Sequence, residues 1–240
     1  PAMQGGSVTI LGEQVSVSGS VDASGSNGGG SIKIGGDFQG GNPDLTNAKT
    51  ADVTGTLVAD SEISGDGGRI IVWADGVTSF SGDLSADGMD NGTGGFAEVS
   101  GKETLFFRGN VSLDGPMGGG NLMLDPTNIT VDYLGGVATL AAAGDANGDN
   151  SLSSSEGSGN VTISPNALAT ILNTGVNVSL AATNDITISG GISKTSGGDA
   201  TLSLIAGNDI TVSSGATIVG NVGQLGVTLQ ATADVSVGAT

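Results

Sequence analysis

The feature that most limits what this chain can become is a set of short phrases that return, in phase, about every twenty-five residues. Gly67-Gly68 opens Arg-Ile-Ile-Val, Gly94-Gly95 opens Phe-Ala-Glu-Val and Gly119-Gly120 opens Asn-Leu-Met-Leu, at steps of 27 and 25. Gly29-Gly30 opens a similar run, Ser-Ile-Lys-Ile. A second marker keeps the same beat: Gly55, Gly82 and Gly109 each separate two strand-like runs and lie 27 and 27 apart. Gly19 begins that series, but its step to Gly55 is 36, and the surplus fits a loop of Gly, Asn, Pro and Asp over residues 35–49. A fixed period of this size is the signature of a solenoid, whose coils tolerate insertions at their corners.

The last third repeats with other words. Val176-Asn-Val-Ser-Leu180, Ala200-Thr-Leu-Ser-Leu204 and Gly226-Val-Thr-Leu-Gln230 lie 24 and 26 apart, while Asp185-Ile-Thr-Ile, Asp209-Ile-Thr-Val and Asp234-Val-Ser-Val lie 24 and 25 apart. Each coil therefore holds about three strands of three to five residues. Successive strand residues face opposite sides, so the inward set after each glycine pair is Ile32 and Ile34, Ile70 and Val72, Ala97 and Val99, Leu122 and Leu124. No coil buries that face alone. Stacked at about 4.8 Å, roughly eight coils of 24–27 residues would form a right-handed parallel β-helix about 40 Å long. A β-sandwich also uses many short strands, but does not repeat the same words in phase.

Composition narrows the chemistry. The 240 residues include 45 glycines, 24 acids against 6 bases, and neither cysteine nor histidine. Disulfides, thiol nucleophiles, histidine triads and the usual zinc sites are thereby excluded, which leaves carboxylates as the catalytic resource. A net charge of −18 repels phosphate backbones and anionic lipid surfaces, arguing against nucleic-acid binding, and favours divalent cations. The apolar stretch around Val137 to Ala143 is too short to span a bilayer, so no membrane insertion is expected. A first residue of proline reads as an excised fragment or a processed product, from which a signal peptide could have been lost.

Three phrases are more specific than the repeat. They are Gly67-Gly-Arg-Ile-Ile-Val-Trp-Ala-Asp-Gly-Val-Thr-Ser-Phe-Ser-Gly82, Gly94-Gly-Phe-Ala-Glu-Val-Ser-Gly-Lys102 and Leu122-Met-Leu-Asp-Pro-Thr-Asn-Ile-Thr130. Together with Ala167–Val178 and Ile192–Leu202, they resemble the shaft of large two-partner-secretion exoproteins of the filamentous haemagglutinin type, over about residues 67–212. That resemblance implies export through an outer-membrane transporter of a Gram-negative bacterium, a right-handed β-helix, and a place on the cell surface as adhesin or fibre. The family's N-terminal secretion domain is not recognisable. Host or surface glycans or proteins and end-to-end self-association are the partners that such a segment would have.

The coil pattern lapses between Tyr133 and Gly159, and inside the lapse lies a calcium-type loop. Asp145, Asn147 and Asp149 fall at positions 1, 3 and 5 of a twelve-residue loop, Ser151 at 7, Ser153 at 9 and Glu156 at 12. Alternate spacing lets such a loop wrap oxygens around one Ca2+, with Glu156 able to give two. Asn150 stands where glycine is expected, which weakens the site, and a solvated Asp/Asn/Ser turn is the alternative, but six positions that agree in order favour Ca2+. Pro165–Gly175 has helical spacing at Leu168, Ile171 and Leu172, with Gly175 placed to end it. Residues 1–131 thus read as coils with an insertion at about 35–49, residues 132–175 as an insertion with the calcium-type loop and the helix, and residues 176–240 as further coils.

Two columns call for an explanation. Asp185, Asp209 and Asp234 would stack on successive coils, with like charges repelling by about 1 kcal/mol per pair, so solvent or a cation should relieve them. The outward column Ile71, Glu98 and Met123, beside Arg69, Phe96 and Asn121, is too mixed for an ice-binding array and would contact a neighbouring segment, as would Trp73; an exposed Trp73 could instead hold a carbohydrate ring. The acids are scattered and share no spacing with the bases, so no enzyme is expected. The reading is a structural shaft segment of a secreted adhesin, with a self-assembling extracellular fibre as one alternative and a carbohydrate-binding or polysaccharide-cleaving β-helix as another.

Overall fold

The computed structural model describes residues 3–107, 109–132 and 160–239. Its spine is one sheet of eight parallel strands: Ser7–Ile10, Ser31–Ile34, Arg69–Ala74, Phe96–Gly101, Asn121–Leu124, Asn177–Ala182, Ala200–Ala206 and Leu225–Ala231. Each strand is the start of a coil and pairs only with the coils before and after it. The chain is a parallel β-helix of about seven turns, its eighth spine strand opening a last coil in which two strands are described. A fifth glycine pair, Gly5-Gly6, opens the first coil.

The register is that of the repeat. Ile34 pairs with Val72, which pairs with Val99, and Ile32, Ile70, Ala97 and Leu122 form the parallel column beside them. All of these and Leu124 are buried in one core. Each such aliphatic side chain contributes roughly 1.5–3 kcal/mol by leaving water, and trimming one, Ile70→Ala, would cost about 3 kcal/mol through the cavity left. The glycine pairs are required by close approach: a Cβ on Gly94 would collide with the Leu113 carbonyl oxygen, and one on Gly29 with that of Ala59.

The second face changes character halfway. Gln14–Val17, Thr50–Val53, Val77–Phe80 and Thr104–Phe107 form one sheet, with Phe80 and Phe107 stacked inside at 5.6 Å. Asn128–Val131, Ile186–Ile188, Ile210–Val212 and Val235–Val237 continue in a second sheet, which gains a fifth strand out of order. Asn160–Ile163 follows Asn128–Val131 in the chain but pairs on the side away from Ile186–Ile188 and packs against Thr104–Phe107. The segment has turned back by one level. Its Val161 and Ile163 fill the core where the two sheets meet.

The third face begins as Ser20–Asp22, Thr56–Val58, Asp83–Ser85 and Asn110–Ser112. In the fifth coil a helix, Pro165–Leu172, takes the place of a strand and packs on Ile192–Lys194 of the next coil. Proline at its first turn sets the entry angle, and Pro165, Leu168 and Leu172 are buried, with Ile171 half-buried against them. Gly175, at φ 88°, redirects the chain into the next spine strand.

Candidate functional site

The insertion predicted at residues 35–49 does not stand away from the rod. It lies back across the outer face of the spine sheet as a strap, and that decides which outward residues see solvent. The strap is tied near its start by Lys33, whose ammonium meets Asp37 at 2.6 Å, and Asn42 Nδ2 donates to the same carboxylate at 2.9 Å. These bonds hold the Asp37 carboxyl down to about 2, the lysine contributing most. Asp37 also caps a short turn, Phe38–Gly40, by accepting from the Phe38 N–H at 2.8 Å.

Beneath the strap lies Glu98, with no solvent exposure. Both of its oxygens accept the Gln39 N–H at 3.1 Å, and Gln39 Nε2 donates to Asp125 at 3.1 Å. Gln39 holds a left-handed backbone angle, φ 52°, a conformation that costs a non-glycine residue about 1 kcal/mol and that aims its N–H at the acid. Burial pushes the Glu98 carboxyl up to about 7; Asp125 adds to the rise, while the Gln39 N–H and Arg69 oppose it. Burial likewise raises Asp125, with Gln39 opposing. A carboxyl titrating near neutrality suits proton transfer, yet this one is sealed from substrate by the strap. Its chemistry here is to hold the strap through a group whose charge changes at ordinary pH.

Trp73 is 5 % exposed and packs under the strap rather than offering its ring to solvent. Its indole N–H donates to Asp75 at 3.2 Å, and Asn47 Nδ2 bridges Asp75 and the Gly40 carbonyl. A Cβ on Gly40 would lie 2.5 Å from the indole nitrogen, so only glycine allows the approach. A groove of about 350 Å³ opens beside these residues, bounded also by Lys102, Asp125 and Thr183. A larger open furrow of about 650 Å³ runs along the glycine pairs, bordered by Arg69, Phe96 and Asn121.

The aspartate column is hydrogen-bonded from coil to coil. Asp185 Oδ1 accepts the Asp209 N–H at 3.1 Å, and Asp209 Oδ1 accepts the Asp234 N–H at 3.0 Å. Asn128 Oδ1 begins the series by accepting the Asp185 N–H. Each side chain thus meets the main chain of the coil above, and the corner donors that leave the sheet ladder are satisfied. A second column works the same way: Asp60 accepts from the Asp87 N–H and Asp87 from the Asp114 N–H, both at 2.7 Å. Ser85 and Ser112 hydroxyls donate to the same carboxylates. Asp114, next in this column, is raised by burial and by Asp87. Much of the chain's acidity is therefore corner chemistry, which its scattered spacing concealed.

Asp145, Asn147, Asp149, Ser151, Ser153 and Glu156 lie outside the described residues. Among the described residues there is no group of three or more acids that could hold a metal, and no helix is long and apolar enough to cross a membrane. Lys194, expected only as one of six scattered bases, is fully buried at a corner and donates to the carbonyls of Ser196, Gly197 and Val222. The class that the geometry defines is a parallel β-solenoid with a strapped outer face. No protein-family model and no curated protein matches the chain.

Proposed function

We propose that the chain is a structural shaft segment of a secreted bacterial surface adhesin, of the two-partner-secretion type that its repeat phrases resemble, and that its work is to hold adhesive regions away from the cell. The observation that carries this reading is the eight-stranded spine, in which every step is a main-chain ladder backed by an aliphatic column. Load along such a stack is shared by many parallel bonds, and each coil contacts only its neighbours, so length can be added without changing the design. The acids serve corners and strap rather than converging on a substrate cleft, which supports a mechanical over a catalytic role. Export through an outer-membrane transporter would leave the chain on or outside the surface of a Gram-negative cell.

The test is to join the chain behind the signal peptide and secretion domain of a two-partner exoprotein and co-express it with the matching transporter in a Gram-negative host. Surface or medium localisation that depends on the transporter, and micrographs showing the purified chain as short rods, are the expected results. Retention of the joined chain inside the cell while the secretion domain alone is exported would overturn the export reading, and activity on a polysaccharide would overturn the mechanical one.

A self-assembling extracellular fibre is the second reading, since a spine of stacked parallel strands lengthens by adding coils. Long filaments in the same micrographs would decide for it. A calcium site at Asp145–Glu156 remains part of the proposal; calorimetric titration with Ca2+ should give saturable heat that Asp145→Ala removes.

A further inference from the structure

Arg69 is held differently from Lys33, Lys49 and Lys194, the described cations that are tied to oxygen acceptors. Lys33 is held by Asp37, Lys49 by Glu13 and Lys194 by three carbonyls. The Arg69 guanidinium makes no ion pair or hydrogen bond within the described residues, although Glu98 lies under the same strap. What holds it is aromatic: its central carbon sits 4.2 Å from the Phe96 ring centroid and 5.0 Å from that of Phe38, and the two rings meet edge to face at 5.9 Å. An attraction of this kind acts through the ring quadrupoles and engages no oxygen acceptor, which leaves the fork of N–H donors unspent.

Arg69 borders the open furrow of about 650 Å³. Its floor is the line of glycine pairs, bare of side chains, and its walls include Ser31, Phe96 and Asn121. From Gly5 to Asn121 it crosses four coil steps, about 19 Å, enough for an extended oligomer. We propose that Arg69 and this furrow bind a glycan that carries one carboxylated sugar on an otherwise neutral chain.

Three features select that chemistry. A guanidinium with no oxygen acceptor of its own recognises a carboxylate through two parallel N–H donors. The floor offers no free strand edge to a peptide, because the N–H groups of Ser31, Arg69, Phe96 and Asn121 already donate to the Gly6, Gly30, Gly68 and Gly95 carbonyls of the preceding coil. Hydroxyl and amide walls beside an aromatic ring suit a sugar, with hydroxyls at its rim and C–H groups on its face. A net charge of −18 penalises every further negative charge that a ligand brings, so a polyuronate or an acidic peptide is disfavoured against a ligand with a single carboxylate.

The site is tested on the chain itself, independently of export, by titration with sialyllactose followed by NMR. Saturable shifts confined to the furrow are expected, with lactose, polygalacturonate and a glutamate-rich peptide each at least about tenfold weaker. Arg69→Gln should lower the affinity by about tenfold or more, and Arg69→Lys should recover only part of it, because an ammonium lacks the fork. Asn121→Ala, at an exposed wall position, gives a second variant that does not disturb the stacked rings and should weaken binding by a few-fold. Absence of saturable shifts with folded wild-type chain, equal binding of lactose, undiminished binding in folded Arg69→Gln, or tighter binding of the polyuronate or the peptide would each overturn the proposal.

Discussion

The same sheet has two outer faces. Over the third and fourth coils the outward residues Ile71, Trp73, Glu98 and Ser100 are buried, whereas over the seventh Thr201 and Ile205 are exposed. Strand spacing is alike in the two regions, and the inner Leu202 and Leu204 of the seventh coil are as buried as Val72 and Val99, so the coil does not explain the difference. The strap does. What a solenoid of this kind can bind or sense is set by the segments laid over its coils, while the coils supply a regular base.

Substitutions in one outward column should expose that difference most. Trp73 pairs with Ser100 in the strapped region and Ala181 with Ile205 in the bare one, at the same level across the sheet. Trp73→Ala should cost about 4 kcal/mol, read by denaturant unfolding, while Ile205→Ala, at a residue 40 % exposed, should cost less than about 1 kcal/mol. Equal losses would mean that the strap does not seal the first region.

Acid titration separates the regions next. The folded-state carboxyl of Glu98 lies at about 7, above its ordinary value of 4.5, so the folded chain prefers the protonated form. Its contribution is most favourable below about 4.5 and declines as pH rises through 7, the ionised group costing about 3 kcal/mol in place. Melting temperature should therefore fall between pH 5 and 8, and Glu98→Gln should flatten that fall. An equally steep fall in the variant would assign the effect elsewhere. Asp37 acts in the opposite sense: its carboxyl is held at about 2, so its support of the strap is present above about 4 and is lost as pH drops through 2.

The corner columns should respond least. Asp209→Ala removes the acceptor for the Asp234 N–H and should cost about 1 kcal/mol, while faster amide exchange at Asp234 localises the loss. A rise in stability on that substitution, as relief of stacked charge would give, would contradict the hydrogen-bonded column.

The repeat made the spine legible, since an in-phase period and strict alternation determine both the stacking partner and the inward side. Ile34, Val72 and Val99 share a column for that reason, and Leu168 and Leu172 announced the helix. Alternation says nothing about what covers an outward residue. Glu98 and Trp73 read as outward, and their burial depends on Gln39 and Gly40, dozens of residues away in sequence. The reversed level of Asn160–Ile163 was equally hidden, because Val161 and Ile163 alternate in the same way whichever side of Asn128–Val131 they join. Arg69 carried one faint signal, two phenylalanines in an aromatic-poor chain, but no spacing joined Phe38 to Phe96.

One measurement tests the coil-by-coil architecture most directly. Thr9, Lys33, Ile71, Glu98, Met123, Ser179, Ser203 and Thr228 form a continuous outer column, one residue per coil. The chain has no cysteine, so cysteines introduced in pairs can carry spin labels for dipolar distance measurement. Labels at Thr9 and Thr228 should lie about 34 Å apart, and labels at Thr9 and Ser203 about 5 Å closer. Distances that do not shorten by one step when one coil is removed from the interval would contradict the stack.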